Sequence, residues 1–290
     1  MHRLLWKIAG HLSALLATVL LGGLFSATLV RLAPGFDADE RELDPHLNAQ
    51  SVQALRDTRH RDDNILHFYL SYMTRATHGD LGNSLALGQP VRMLLRERIP
   101  LTVKLLGTGL GLSWILALTM ALTAAWLRLS IYDTMTTVVS GTLLCLPAAV
   151  LALLSVLWNV PGSIAIALIV FPHTYRYARN LLVKAYSRPH ILAARAKGLT
   201  EARILFWHVV PVLMPQLLAL AGVSVSMAIG ATIPVEALCG LPGIGQLAWQ
   251  AALARDLPLL VNITILVTLV TLLANSGADV IGSMFRGQEA

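Results

Sequence analysis

Side chains that could carry out chemistry are few in this sequence, and they do not form a catalytic pattern. Nine histidines and two cysteines are scattered along 290 residues without the spacing of metal ligands. The sequence also lacks a Gly-rich phosphate-binding loop, an H-E-x-x-H zinc motif and a nucleophile elbow. We therefore expect no catalytic residue, no metal and no cofactor, and the chain should not bind ATP through a P-loop of its own.

The clearest local pattern is a short basic segment, residues 193–211. Its first helix should end at Gly198, because glycine readily adopts the left-handed conformation that terminates helices. Thr200 is then placed to cap a second helix, which begins at Glu201. Farther along lie Trp207 and His208, predicted at the membrane interface, and Pro211, which opens the next apolar run. Two short helices at an angle should therefore project from the membrane.

Composition places the elements around this segment in a membrane. Hydrophobic residues make up 56% of the chain and charged residues only 13%, with a mean hydropathy of +0.66. A soluble domain carries roughly twice that charged fraction. The net charge of +6 lies in loops beside apolar runs, which is typical of contact with anionic lipid headgroups. Membrane lipid is therefore an expected partner, and nucleic acid is not.

Six apolar runs are long enough to be transmembrane helices, which predicts an all-α membrane protein. The spans are expected near residues 10–32, 101–127, 134–157, 163–177, 211–233 and 257–285. The first run, about 19 residues from Leu12 to Val30, can cross a hydrocarbon core of about 30 Å, so we interpret it as a retained helix and not a cleaved signal. The chain then divides into an N-terminal helix (1–33), a polar loop region (34–98) and a five-helix core (99–290).

Basic residues predict the orientation. Seven Lys and Arg side chains and a single acid, Glu201, lie between Arg176 and Arg203, so this short loop should be cytoplasmic. Counting spans from it puts both termini in the cytoplasm and residues 34–98 and 234–256 outside. The apolar runs hold almost no ionisable side chains, whereas a proton-coupled transporter usually keeps carboxylates or histidines there. The energy for any transport should therefore come from a source other than proton coupling within these runs.

The run Ala-Arg-Ala-Lys-Gly-Leu-Thr-Glu at 194–201, with His208 and Pro211 downstream, resembles the EAA loop of ABC importer permeases. It is most similar to the version found in the dipeptide, oligopeptide and nickel permease family. Two further segments resemble that family in the same order, namely 79–84 followed by 90–91, and 234–245 followed by 255–258. The turn 159–162 is shorter than the family's usual outer connection, and the C-terminal ending also differs.

This resemblance implies the fold of a type I ABC importer, with a cytoplasmic coupling helix in the loop 188–208. Such a permease moves a peptide, nickel or a similar small solute across the bacterial inner membrane, while separate ATP-binding subunits hydrolyse ATP. The residues implied to dock the ATPase are Ala194, Arg195, Ala196, Lys197, Gly198, Leu199 and Glu201. The other implied partners are a second permease subunit, related or identical, and an extracytoplasmic substrate-binding protein.

Three charged residues of the loop 234–256 are candidates for an outer gate or for a contact with the binding protein. They are Glu236, Arg255 and Asp256. A solvated loop, in which Arg255 and Asp256 only flank a helix end, is an equally good interpretation. For the whole chain two other classes stay open: a secondary transporter or channel that uses residues 34–98 as a ligand-binding cap, and a membrane subunit without transport activity of its own.

Overall fold

The computed structural model describes residues 17, 18, 21–25, 28, 74, 75, 78–127 and 130–286. This part of the chain is helical apart from turns and an isolated antiparallel bridge between Asn83 and Pro90. The helices are α1 (Val91–Leu127), α2 (Ser130–Cys145), α3 (Ala148–Leu157), α4 (Gly162–Tyr186), α5 (Pro189–Ala196), α6 (Glu201–Ile204), a π-helical turn (Leu205–Val209), α7 (Val210–Leu238), α8 (Ile244–Leu253) and α9 (Leu257–Arg286). The all-α prediction is confirmed for the described residues.

Several of these helices are suited to a membrane. Three described segments are long and apolar enough to cross it, namely Val91–Trp126, Glu201–Leu238 and Leu257–Ser283, and α2 with α3 would make a fourth crossing if the bent pair is one span. Residues 17, 18, 21–25 and 28 are helical and fall in the predicted first span. The rest of that span, most of the loop 34–98 and both chain ends lie outside the described residues.

The helices extend beyond the apolar runs that predicted them. Helix α4 covers the predicted span 163–177 and continues to Tyr186, past Arg179 and Lys184. Helix α1 begins at Val91, ten residues before the predicted span. Hydropathy marks the part of a helix that lies in hydrocarbon, whereas a helix continues into water wherever its backbone stays hydrogen-bonded.

The predicted third span, 134–157, consists of two helices that meet at a sharp bend. Helix α2 ends at Cys145 and α3 begins at Ala148, and their axes bend by 99°. Pro147 lies at the break with φ −59° and ψ 144°. Proline has no N–H to donate and disfavours the helical conformation of the residue before it. The break therefore follows from one residue inside an otherwise continuous apolar run.

Two compact units can be distinguished, Met1–Arg98 with Leu247–Leu269, and Ile99–Gln246 with Val270–Ala290. The second unit contains an apolar core in which α1 and α4 meet the segments that precede α7. Its fully buried members include Ala117, Ala121, Tyr175, Ala178, Ile191, Ile204 and Val209. Since Ile191 and Ile204 belong to this core, the loop 188–208 is packed into its unit. The predicted division at residues 33 and 98 stays a prediction.

Candidate functional site

The loop 188–208 turns sharply at Gly198. Helix α5 ends at Ala196, and Gly198 has φ +77°, the left-handed conformation. The Leu199 N–H donates to the Ala194 carbonyl at 3.3 Å and the Gly198 N–H to the Arg195 carbonyl at 2.9 Å. This pair of bonds is the Schellman motif, so the predicted helix end at Gly198 is confirmed. A Cβ at Gly198 would have no heavy atom within 4 Å, so only the backbone conformation requires glycine here.

The second helix begins as predicted, but its start is stabilised differently. Thr200 occupies the residue before α6 with φ −64° and ψ 147°, yet its side chain makes no capping hydrogen bond. The prediction that the Thr200 side chain caps this helix is therefore wrong. Its backbone carbonyl instead accepts the Ile204 N–H at 3.0 Å. A threonine at this position satisfies the sequence pattern for a cap, but the rotamer decides whether the hydroxyl reaches an N–H.

A salt bridge joins the two short helices across the turn. Arg195 donates from Nε to Oε1 of Glu201 at 2.7 Å and from Nη2 to Oε2 at 3.1 Å. This bidentate geometry is the arrangement that suits a guanidinium and a carboxylate best. The hydrogen bond to Glu201 raises the pKa of Arg195 above its ordinary value, so the guanidinium stays charged. Two of the seven predicted docking residues therefore bind each other.

The guanidinium of Arg195 also lies over an aromatic ring. Its central carbon is 5.5 Å from the ring centroid of Tyr186, the last residue of α4. The Tyr186 hydroxyl in turn accepts the indole N–H of Trp126 at 2.9 Å. Burial raises the pKa of the Tyr186 phenol, so it is neutral at physiological pH. Trp126, Tyr186, Arg195 and Glu201 thus form one continuous series of contacts from α1 to α6.

The predicted docking residues divide into a buried side and an exposed side. Ala194 is buried and Arg195 and Leu199 are half-buried, whereas the exposed members are Ala196, Lys197, Gly198 and Glu201. The buried side packs with the core that contains Ile191 and Tyr186. The segment therefore presents a small exposed surface, which includes Ala196 and Gly198, while its other side is packed into its unit.

A π-helical turn follows, and the sequence did not predict it. Residues Leu205–Val209 form one wide turn between α6 and α7. Pro211 has no N–H for the carbonyl of Trp207 four residues earlier, which removes one α-helical hydrogen bond at this point. The turn leaves Phe206 66% and Trp207 76% exposed. It also leaves Nδ1 of His208 buried without a hydrogen-bond partner.

Glu236, one of the three candidates for an outer gate or a binding-protein contact, is buried within its compact unit. It is 0% exposed and its carboxylate accepts the Thr102 hydroxyl at 2.7 Å, the Gly245 N–H at 2.6 Å and the Gln246 N–H at 3.3 Å. The Ile244 N–H donates to the Thr102 oxygen at 2.8 Å. Glu236 therefore stabilises the positive N-terminal end of α8. A Cβ at residue 243 would displace this carboxylate from its present position, so glycine there leaves room for the contacts of Glu236.

Asp256 is likewise 0% exposed, in the other compact unit. Its carboxylate accepts the N–H of Leu259 at 3.2 Å, the position of a helix cap on α9. The same carboxylate accepts the Ser84 hydroxyl at 2.5 Å and the Ala86 N–H at 3.0 Å. Asn262 adds a bond to the Leu81 carbonyl at 3.0 Å. The segments 79–91 and 255–258, which each resembled the importer family, are thus in direct contact.

Arg255 is half-buried and has φ +52°, an unusual backbone conformation for an arginine. Among the described residues no group of three His, Cys, Asp or Glu side chains is close enough to hold a metal ion. The geometry offers an exposed turn at Gly198 and two buried carboxylates that bind loop and helix ends.

Comparison with known proteins gives this geometry a context. The family model described as "Binding-protein-dependent transport system inner membrane component" matches residues 117–286. This chain belongs to that family. It is 30% identical over 262 residues to the oligopeptide transport system permease protein OppB of Escherichia coli strain K12, covering 82% of this chain and 84% of OppB. The prediction of the family is confirmed.

The match to a second relative covers a smaller share of both proteins. The permease is 30% identical over 208 residues to a putative peptide transport system permease protein of Brucella abortus strain 2308, which is 62% of this chain and 66% of that protein. The matched family region contains the whole of the loop 188–208 and both segments with the buried carboxylates Glu236 and Asp256. The permease is therefore a multi-pass inner-membrane protein by family and by its apolar helices.

Sequence reasoning missed the partners of the predicted residues. Tyr186 and Trp126 were not singled out, and neither were Ser84 and Thr102. Ser84 lies in a segment that already resembled the family, so a search for polar pairs between such segments would have included it. Nothing in the sequence marks Tyr186 or Trp126 as part of the contacts made by the loop 188–208.

Proposed function

We propose that the permease is the transmembrane subunit of an ATP-driven importer, energised by a separate ATPase that docks on residues 193–201. One observation carries this proposal. Ala196, Lys197, Gly198 and Glu201 are exposed on a turn whose other side is buried, so the surface keeps its shape while another protein pushes on it. A docking site that transmits force requires this combination of exposure and rigid anchoring.

Peptides are the substrates that the comparisons favour. The names of the relatives refer to peptide and oligopeptide transport, and nickel or a similar small solute is the alternative within the same family resemblance. Family membership supports an importer subunit over a secondary transporter or channel with an extracytoplasmic cap. The scarcity of ionisable residues in the apolar helices supports the same choice, because ion-coupled transporters use such groups.

The proposed assembly contains partners on both sides of the membrane. Six spans place both termini in the cytoplasm, with the region 34–98 outside facing a substrate-binding protein. A second permease subunit, related or identical, completes the transport path. Closure of two ATPase subunits on ATP moves the docked loops 188–208, and the spans alternate between inward-open and outward-open arrangements.

The outer charged residues take different parts in this proposal. Glu236 and Asp256 are fully buried, which supports a role in holding an outer gate and not in touching a soluble protein. Arg255 is half-buried and retains a surface that a binding protein can contact. Replacing Arg255 with Gln should then weaken stimulation of ATP hydrolysis by the binding protein, while unstimulated hydrolysis stays unchanged.

Co-purification tests the proposed function. The permease is expressed with its partner ATPase and second permease, and recovery of the ATPase is compared between wild type, Gly198→Leu and the exposed control Asp279→Asn. We expect membrane insertion in all three and loss of the ATPase, with loss of ATP-driven peptide uptake, only in Gly198→Leu. Normal uptake by Gly198→Leu would contradict the docking assignment.

A further inference from the structure

Helix α1 makes two specific polar contacts, 24 residues apart, that both lie within one compact unit, Ile99–Gln246 with Val270–Ala290. At its C-terminal end, the Trp126 indole donates to the Tyr186 hydroxyl at 2.9 Å. Eleven residues after the start of the helix, the Thr102 hydroxyl donates to Glu236 at 2.7 Å and accepts the Ile244 N–H at 2.8 Å. Helix α1 therefore contacts Tyr186, which adjoins the loop 188–208 (here called the coupling loop), and the segment 236–246, which we call the outer segment.

The distance between these contacts spans a membrane. Thr102 and Trp126 both lie in the unbroken helix Val91–Leu127, and the 24-residue separation corresponds to roughly 36 Å at 1.5 Å per residue. A hydrocarbon core is about 30 Å thick. The internal proline, Pro100, precedes Thr102, so the stretch between the two contacts contains no proline that would bend it.

The contact between α1 and the coupling loop passes through Tyr186. This residue is 2% exposed, its ring carries the guanidinium of Arg195, and its hydroxyl is held by Trp126. Small side chains line the neighbouring part of α1, since Ala121 and Ala125 are buried in the same core as Tyr186. Small residues let membrane helices approach closely, so a displacement of Arg195 is passed to α1 through packed atoms.

Two other helices, α4 and α7, could also transmit movement away from the coupling loop, and they contact different parts of the unit. Helices α4 and α7 are joined covalently to the coupling loop at its two ends. Helix α7 carries Glu236 itself, but Ile244 and the N-terminus of α8 are held jointly by Glu236 and by Thr102 of α1. The outer segment therefore responds to the position of α1 relative to α7, and not to α7 alone.

We propose that Trp126 and Tyr186 are positioning residues that join the coupling loop to α1, and that Thr102 joins α1 to the outer segment. Movement of the docked loop then changes the contact between Thr102 and Glu236 on the other side of the membrane. This inference rests on the proposed importer function and adds the residues that carry the movement. Coupling of this kind requires that α1 have two positions, each favoured by a different state of these contacts.

A native thiol reports on the outer segment. Cys239 is half-buried, three residues after Glu236, with its Sγ 3.3 Å from the Ser155 hydroxyl. Replacing Cys145 with Ser leaves Cys239 as the single cysteine of this chain, since the sequence contains two. The complete transporter is reconstituted in lipid vesicles with its ATPase, and labelling of Cys239 by a small maleimide is followed by mass on this chain, with and without ATP and vanadate.

Tyr186→Phe is the decisive variant. It keeps the ring beneath Arg195 and removes only the hydroxyl that accepts the Trp126 N–H. We expect the nucleotide-dependent change in the Cys239 labelling rate to shrink by about three- to tenfold, the factor that one ordinary hydrogen bond corresponds to, while labelling without nucleotide stays unchanged. Trp126→Phe should act alike, and the double variant should be no worse than either single one, because both remove the same bond.

Tyr177→Phe is the matched control, because Tyr177 is on the same helix and is 47% exposed. A Tyr186→Phe transporter whose labelling responds to nucleotide as the wild type does would overturn the inference, and so would additive effects of the two variants. If the wild-type permease instead takes up peptide without ATP and shows no nucleotide-dependent labelling, the proposed importer function itself is wrong and the inference falls with it.

Discussion

Arg195 reaches across Gly198 to bind Glu201 with two hydrogen bonds, from Nε at 2.7 Å and from Nη2 at 3.1 Å. The two side chains belong to helices α5 and α6, so their contact fixes the angle at which the coupling loop turns. Both residues resembled docking positions in the sequence, and the structure has them bind within the chain. In the proposed docking, we therefore expect them to contribute the shape of the turn as much as any direct contact.

Charge exchange at this pair separates the two contributions. Arg195→Glu and Glu201→Arg each place like charges side by side, which should cost about 0.2–1 kcal/mol at this partly exposed position and distort the turn. The double exchange restores opposite charges and should recover most of the ATPase co-purification that either single change loses. The measurement is the amount of ATPase recovered with the permease from the membrane.

The control for this exchange is Lys197→Glu, a charge reversal at an exposed neighbour. It changes the local charge without touching the Arg195–Glu201 pair, so a purely electrostatic effect on docking would appear in it as well. If the double exchange does not restore ATPase co-purification, the ATPase contacts these two side chains directly. The turn is then held by its backbone hydrogen bonds alone.

Substitutions at Gly198 test the backbone conformation alone, because a Cβ there would meet no other atoms. Its φ of +77° disfavours ordinary residues by about 1–2 kcal/mol, whereas asparagine tolerates this region. No atom would obstruct a Cβ at this position. Gly198→Asn should therefore keep most ATP-driven peptide uptake and Gly198→Leu should lose it, although the two side chains are similar in size. Equal uptake by both variants would mean that the left-handed turn is not what docking requires.

Glu236 should hold the start of α8 through its charge. Glu236→Gln keeps the size of the side chain but turns a carboxylate that accepts two backbone N–H groups into a neutral amide. Hydrogen bonds to charged groups are worth about 1.5–3 kcal/mol, so the amides of Gly245 and Gln246 should exchange hydrogen at least tenfold faster. Hydrogen-exchange mass spectrometry of the purified permease measures this.

The exposed residue Glu97 provides the control for that measurement, since Glu97→Gln makes the same chemical change outside this contact. Faster exchange confined to the start of α8 supports the assignment. Unchanged exchange in Glu236→Gln would show that the Thr102 hydroxyl and the backbone alone keep this helix end in place.

The sequence predicted features that depend on residues close together in the chain, and it did not predict contacts between residues far apart in the chain. Apolar runs and the glycine at 198 act on their own neighbourhood, so the all-α class and the turn were predictable. The break at Pro147 was visible as a proline, but its 99° angle depends on packing. The Thr102–Glu236 bond joins residues 134 positions apart, and no periodicity in either segment carries that information. Side-chain pairs of this kind form only once the helices have packed.

The contact between Ser84 and Asp256 joins residues 172 positions apart. Two substitutions separate the role of Asp256 as the cap of α9 from its role in holding the loop at Ser84. Asp256→Ala removes the cap of α9, worth about 0.5–2 kcal/mol, together with the acceptor for the loop, so amide exchange should rise at both Ala86 and Leu259. Ser84→Ala removes only the hydroxyl that Leu87 donates to at 3.0 Å, so exchange should rise at Leu87 and not at Leu259. Asp279→Asn should leave all three unchanged. An effect of Ser84→Ala on Leu259 would mean that the loop orients the Asp256 carboxylate for capping, and that the two motifs form a single interdependent site.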